Sequence, residues 1–345
     1  MKKIILTWLA LCAALFGGWQ LQTLGVPHFK SLHVERLLVS PAQAQMPLLG
    51  FPPGAFDNLA ARAPRPTYQG PGDLGISSAT LLSFWSCGRV AKALLASTST
   101  SLCDLDQTGT ATPVGTLRAS SSGYVDLSAY FSGSVTPLSA CTTAGGCSVA
   151  KYYDQIGSFP ATQATAADMP RLLFSALNNY PCMNNPTNGI MRVETANITQ
   201  TLPMVLAGVA ERTTNNGIVS RIMNASGTSP SIGWTVTTNQ LSTSAGTTLS
   251  HTATGYDGAF HAVIGDLDVN ANADSALVVE GSSVVTGASG SGAFGGSTGM
   301  GFMSDGGGSS LEGTICENSF WSGFMNSTDY GKLNTNMHGS SGWNF

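Results

Sequence analysis

The sequence predicts an all-β protein, a sandwich or jelly roll with short peripheral helices. Two observations carry this. From about residue 102 onward, short runs rich in Val, Ile, Tyr, Phe and Trp recur roughly every 8–12 residues between Gly, Asn and Ser clusters. Charged residues make up only 10% of the chain, against roughly 25% in an average soluble domain. Gly (41 residues), Ser, Thr and Asn fill the gap. No heptads and no long amphipathic helix compete with that pattern. The 345 residues suffice for one large domain or two small ones. With 15 Lys plus Arg and a net charge of −4, the basic footprint of a nucleic-acid binder is missing.

The chain opens with Met1-Lys2-Lys3 and an apolar run over 4–15, the n-region and h-region of an export signal. The small-x-small site Ala42-Gln43-Ala44 lies far beyond that run, and L-A-L-C ends at Cys12 with a poorly suited Leu11 before it. The run is also shorter than the about 20 residues of a membrane span. Residues 1–44 are therefore expected to be a signal peptide or a membrane anchor of an exported protein (secreted, periplasmic or cell-surface). Residues 45–75 hold Pro47, Pro52, Pro53, Pro64, Pro66 and Pro71. Proline removes ladder donors, so this is a linker or an arm rather than a sheet interior. Residues 76–345 form the sandwich domain.

Within it, 77–96 reads as a helix, with Ser78 as N-cap, apolar Leu81, Leu82, Phe84, Trp85, Val90 and Leu94, and Gly88 weakening it. Strands are expected over 114–117, 124–127, 149–153, 171–174, 191–195, 204–211, 217–223, 231–237, 259–268, 275–280, 283–286, 298–303 and 313–324. Residues 266–285 read as a hairpin with a polar tip at 270–274, and 312–321 as a late strand of large apolar residues. Residues 326–338 read as a short helix.

Cys12 lies in the apolar run, which leaves six cysteines. An even set in an exported chain implies disulfides, although six cysteines allow 15 pairings. Cys141 and Cys147 close a short Gly-containing loop beside a β run, so they are expected to pair. The sequence leaves the rest open, with Cys87–Cys103 next and Cys182–Cys316 by elimination. No C-x-x-C or His-rich cluster suggests a metal site, and no cofactor is implied.

The run from Cys141 to Gln155 carries a resemblance. A Cys–Cys loop leads into a strand ending in Tyr153-Asp154-Gln155, and Thr162-Gln163 follows. This is similar to the catalytic domain of the arabinofuranosidase B family, glycoside hydrolase family 54; the same Y-D-Q corner recurs in laminin-G-like jelly rolls of surface and phage proteins. Lys92-Ala93-Leu94 stands where that family has a short helical R-A-L, and Glu312-Gly313 where its late strand reads F-Y-E-G. The resemblance covers roughly residues 80 to 338 and implies a concanavalin-like jelly-roll β-sandwich.

Retaining glycosidic hydrolysis needs two carboxyl groups about 5–5.5 Å apart, a nucleophile and an acid/base. The resemblance places Asp305, in a Gly-rich loop before the late strand, at the acid/base position. It puts Thr237 or Thr238, in 234–242, where the family has its nucleophilic Glu, and an unactivated Thr cannot replace a carboxylate. Over 215–226 the family's vicinal cysteines are absent, and Arg221 stands near the place of its sugar-holding Asp. Glu211, Glu312 and Glu317 remain as acidic candidates, with a Glu312/Asp305 pair as the alternative catalytic arrangement. Sugar binding alone asks for aromatic faces and amide or carboxyl groups, which Trp234, Asn239, Gln240, Glu211 and Arg221 offer; Trp321, Trp343, Tyr256 and Tyr180 are further aromatics.

Three other matches carry little. G-S-G-A-F-G at 290–295 has no helix after it. G-G-S-T-G at 295–299 has only His251 and His261 as partners. D-V-N-A-N-A-D at 268–274 lacks the Gly and terminal Glu of a calcium loop. Three readings of function follow. The first is a carbohydrate-binding or surface-structural module with a degenerate site. The second is an active α-L-arabinofuranosidase acting on arabinose-containing polysaccharide. The third is a phage- or appendage-type assembly protein, which would self-associate.

Overall fold

The computed structural model describes residues 68–128, 136–143, 146–187, 189–215, 217–225, 229–268, 274–296, 299–304, 310–339, 342–343 and 345. Residues 1–44, expected to be a signal peptide or anchor, residues 45–67 of the Pro-rich stretch, most of the expected hairpin tip at 270–274 and Asp305 lie outside them.

Twenty strands occur among the described residues. In chain order they are β1 (Ala79–Ser86), β2 (Ser101–Gln107), β3 (Thr112–Arg118), β4 (Cys147–Tyr152), β5 (Ala161–Thr162), β6 (Arg171–Leu177) and β7 (Tyr180–Asn185). There follow β8 (Val193–Thr195), β9 (Thr199–Gln200), β10 (Met204–Arg212), β11 (Ser220–Ala225), β12 (Ser231–Trp234), β13 (Gln240–Ser244) and β14 (Thr248–Thr252). The last are β15 (Phe260–Leu267), β16 (Ser275–Val279), β17 (Ser282–Gly287), β18 (Phe294–Gly295), β19 (Met300–Met303) and β20 (Gly313–Gly323). Two α-helices, α1 (Pro137–Thr143) and α2 (Ser327–His338), complete a nearly all-β fold.

All strand pairings are antiparallel. One layer runs β17–β16–β15–β10–β20, and the far edge of β20 is shared by β1 and then β7, with β6 beyond. The other runs β14–β13–β12–β11–β19–β8–β5–β4–β2–β3. A single pairing, Ser148 with Arg171, joins the layers at one side, so the sheet nearly closes on itself. The layers approach so closely at Gly265 that a Cβ there would lie 2.2 Å from Thr243 Oγ1 and 2.4 Å from Ile232 Cγ2. Only glycine fits.

Two apolar clusters follow from the alternation of strand side chains. Leu206, Phe320, Trp85, Ile222, Ile232 and Phe302 pack between the layers. Val205, Ala207, Val209, Ile264, Val278 and Trp321 lie on the outer face of the first layer, where Leu333 and Met337 of α2 and Trp343 cover them. Because β10 is covered on both faces, its sequence reads as an unbroken apolar run. Two-residue turns at Asn178-Asn179 (φ 49° and 64°) and Glu280-Gly281 (φ 53° and 78°) join β6 to β7 and β16 to β17.

All three disulfides form as expected: Cys141–Cys147, Cys87–Cys103 and Cys182–Cys316. The Y-D-Q corner is a bracket. Asp154 Oδ1 accepts from the amides of Phe84 (3.2 Å), Ile156 (3.0 Å) and Gly157 (3.1 Å). Gln155 Oε1 accepts from the Ala91 amide at 2.9 Å, while its Nε2 donates to the Ser86 and Arg89 carbonyls. Both side chains tie β4 to β1 and the turn after it.

The helix expected over 77–96 is corrected: the segment is β1 followed by a 3₁₀ turn at Ala93–Leu95. With both faces of β1 covered, adjacent apolar residues bury on opposite sides, which imitates helical spacing. Ser78 caps nothing there; its hydroxyl donates to Asp329 of α2. Residues 124–127 form only isolated bridges, Arg89 with Tyr124 and Ala119 with Val125. The sequence reading missed β2, β7, β13 and β14, and the two-residue strands β5, β9 and β18. In β13 buried hydroxyls satisfy themselves on the neighbouring strand: Thr243 Oγ1 donates to the Ser231 carbonyl at 3.1 Å. Such strands read as turns. The final helix appears where expected, with Asn326 Oδ1 accepting from the Asp329 amide at 3.0 Å as N-cap.

Candidate functional site

Three segments meet at one end of the sandwich, where β10 ends and β20 begins. The Thr213 amide and hydroxyl both donate to the Glu312 carbonyl at 3.0 Å. Asn215 Nδ2 donates to the Val236 carbonyl (3.2 Å) and to Thr238 Oγ1 (2.8 Å). Ser304 pairs with Ser310, and the Leu311 amide donates to the Met303 carbonyl at 2.6 Å. Met303 holds a left-handed backbone (φ 72°) although it is not glycine. Such conformations persist only where surrounding structure imposes them, and they cluster at functional sites.

Beneath this rim lies Arg212, fully buried. Its Nε donates to Asp257 Oδ1 at 2.7 Å, Nη1 to the Thr235 carbonyl at 2.7 Å and Nη2 to the Thr237 carbonyl at 3.0 Å. The guanidinium lies 5.8 Å from the Trp234 ring centroid. Asn239 and Asp257 exchange reciprocal bonds: the Asn239 amide donates to Asp257 Oδ2, and the Asp257 amide to Asn239 Oδ1, both at 2.8 Å. The left-handed Asn239 (φ 55°) turns the chain there. One buried cation and one carboxylate thus fix the loop 235–239, with Thr237 and Thr238 exposed at its tip.

The sequence-predicted residues fall around this end in different states. Trp234 is fully buried and donates Nε1 to the Tyr256 carbonyl at 3.0 Å, so it is core and presents no face on which a sugar could stack. Trp321 and Trp343 are likewise buried. Gln240 spends its amide internally, accepting from Thr235 Oγ1 (2.5 Å) and donating to Thr252 Oγ1 (3.0 Å). Arg221, half-buried, donates Nη1 to Ser231 Oγ at 3.1 Å. Glu312 is half-buried beside Thr213. Glu211 is half-buried one residue before Arg212; burial pushes its carboxyl up, and nearby His261 opposes that. Glu317 belongs elsewhere, in a buried pair with Arg89. Sequence reasoning missed Arg212 and Asp257. The available signal was an Arg closing an apolar strand and a Y-D-G turn.

The sequence matches no protein-family model and no curated protein. Solved structures do match. One is a glutamate-to-glutamine mutant of a family 54 α-L-arabinofuranosidase soaked with 4-nitrophenyl α-L-arabinofuranoside, with a TM-score of 0.57 at 14% identity over 78% of this chain. Another is an arabinofuranosidase complexed with arabinofuranosyl-α-1,2-xylobiose, with a TM-score of 0.55 at 14% identity over 78% of this chain. The fold is a jelly-roll β-sandwich of that kind. The chain spans 65% and 64% of those two enzymes. At this identity the likeness is one of fold.

Proposed function

We propose that the protein is an exported carbohydrate-binding or surface-structural module, built on an arabinofuranosidase-type sandwich whose active site has lost its nucleophile. The observation that carries this is the loop 235–239. Where the resemblance calls for a carboxylate, the tip presents Thr237 and Thr238, and the carboxylate beside it, Asp257, is engaged by Arg212 and Asn239. Sugar-bound solved structures of the same fold support a glycan as partner. Three disulfides support an oxidising compartment. No helix among the described residues is long and apolar enough to cross a membrane.

A second reading, a retaining arabinofuranosidase, is favoured by Glu211. Its burial-raised carboxyl lies on the strand leading to the rim, the direction a general acid requires. The deciding experiment is p-nitrophenol release from aryl α-L-arabinofuranoside by the purified protein, beside Asp305→Asn and Glu211→Gln, with a glycan array run in parallel. Binding without turnover is the expected result. Turnover abolished by Asp305→Asn overturns the degenerate-site reading.

A further inference from the structure

Residues 69–78 lie as a strap against α2 and against the segment after β1. Asn336 Nδ2 donates to the Gln69 carbonyl at 2.6 Å, Lys332 Nζ to the Gly75 carbonyl at 3.0 Å, and the Ser78 hydroxyl to Asp329. On the other side Asp73 Oδ2 accepts from the amides of Gly70 (2.9 Å) and Ala93 (2.7 Å). The Gly72 amide donates to the Ala91 carbonyl at 2.8 Å. Between strap and helix these ties leave an open cavity of about 340 Å³, lined by Gln69, Leu74, Gly331, Lys332, Thr335 and Asn336. Its walls are fixed by the fold, and its volume falls at the lower end of small-molecule sites, about 300–1,000 Å³.

Gly331 is the informative residue. It lies inside α2 (Ser327–His338), and glycine is, after proline, the least favourable residue in a helix interior. Packing does not demand it, because a Cβ built there would meet no atom within 4 Å. The glycine therefore keeps space open at the cavity wall at some cost to the helix.

The groups around the cavity select a ligand. An ammonium carries three N–H; Lys332 directs two at the Gly75 carbonyl and Asp329 Oδ1, both at 3.0 Å, which leaves one. Thr335, exposed on α2, offers a hydroxyl, and Gln69 a carboxamide whose Nε2 also reaches the Asp73 carbonyl at 3.2 Å. Asn336 is wall rather than contact, since its Oδ1 accepts from Arg89 and its Nδ2 is spent on Gln69. Leu74 supplies one apolar patch. Lys332 is matched by the buried Asp329, so the site has little pull on an anion. Mixed donors and acceptors beside an apolar patch suit a molecule that carries hydroxyls on a carbon ring. We propose that the cavity binds one neutral sugar residue, the exposed end of a larger saccharide, at a site separate from the rim. The choice of a saccharide rests on the function proposed above; the cavity does not.

The test is hydrogen exchange of the full chain in about 200 mM D-glucose, D-galactose or L-arabinose, with the open-chain polyol sorbitol as comparison. With at least one sugar, peptides covering 68–76 and Ser327–Gly339 are expected to exchange about threefold more slowly, while those of β10 and β20 do not change. Threefold is the factor 1 + [L]/Kd for a sugar at about twice its dissociation constant. Gly331→Leu puts a good helix former at the cavity wall and is expected to abolish the slowing without lowering the melting temperature. Thr335→Val, which removes only the hydroxyl, is expected to weaken it, and decides alone if Gly331→Leu proves less stable. Slowing that survives both variants, or equal slowing by sorbitol, overturns the proposal. Slowing confined to 235–239 overturns it and leaves the rim as the sugar site. With no slowing by any sugar the cavity site is overturned, and the glycan array decides separately whether the protein binds carbohydrate.

Discussion

Arg89 and Glu317 form a two-point ion pair sealed from solvent, with Nε to Oε2 at 2.5 Å and Nη2 to Oε1 at 2.9 Å. Burial works against the guanidinium, and Glu317 more than offsets it, leaving Arg89 above its ordinary value. Trp343 Nε1 donates to the same Oε2 at 2.6 Å, and Asn336 Oδ1 of α2 accepts from Arg89 Nη2 at 3.0 Å. The turn after β1, the middle of β20, α2 and the C-terminal tail thus converge on one charge pair.

Glu317→Gln should therefore unfold far more easily than the wild type. It leaves the Arg89 charge buried without its counter-charge, which costs about 3–5 kcal/mol. Replacing both partners by apolar residues of similar volume should recover much of that loss. Urea denaturation of the three proteins checks this; a loss below about 1 kcal/mol for Glu317→Gln would show that the pair is not insulated.

The three disulfides should contribute unequally. Cys182–Cys316 closes a loop with a sequence separation of 134, against 6 for Cys141–Cys147. Chain entropy then gives about 5 kcal/mol for the long bridge and about 2.4 kcal/mol for the short one. Double Ser variants of each pair, compared by denaturant midpoint, should preserve that order. The reverse order would mean that the unfolded chain is already held together near Cys182.

These two cases also show what the sequence could reveal. Cys141 and Cys147 were legible because a short Cys–Cys loop beside a β run is a local pattern, and the final helix because Asn326 caps it locally. Long-range facts were hidden. Nothing near Arg89 in sequence announces Glu317, and Ser83, Phe84 and Trp85 resemble a helix until both faces of β1 are known to be covered. The site divides in the same way. Glu312 reaches the rim because it adjoins β20, a strand visible as an apolar run. Trp234 was misread because an aromatic in a polar stretch looks exposed, whereas residues distant in sequence, Arg212 and Tyr256 among them, enclose it in the core. Hydroxyl-rich β13 escaped because its buried groups find partners only across the sheet, and β14 because none of its residues is buried.

The Arg212–Asp257 clamp should govern the order of the rim. Asp257→Asn removes the charge that faces Arg212 and weakens the acceptor for the Asn239 amide. The loop 235–239 is then expected to become the first site of limited proteolysis, with cleavage accelerated about tenfold while the core strands resist. Glycan affinity, if the rim binds sugar, should fall in parallel. An unchanged cleavage pattern would mean that the Thr235 and Thr237 carbonyl bonds to Arg212 are sufficient alone.

Asp266 should make the fold less stable as pH rises. Its side chain is fully buried, with Oδ2 accepting from the Met325 amide (2.7 Å) and the Tyr330 hydroxyl (2.8 Å), and Oδ1 has no hydrogen-bond partner. Burial pushes the carboxyl up to about 7, against the pull of those two bonds. Between its ordinary range near 3.8 and that raised value, the native state keeps a proton that the unfolded chain has released. The unfolded state binds fewer protons there, so stability falls with rising pH. The loss, on the order of 4 kcal/mol, is complete a little above neutrality. Asp266→Asn keeps an oxygen for both donors and carries no charge. It should match the wild type near pH 4 and exceed it at pH 8 when both are unfolded in urea. Parallel pH profiles for the two proteins would mean that Asp266 stays ionised in the fold, with its second oxygen reached by water.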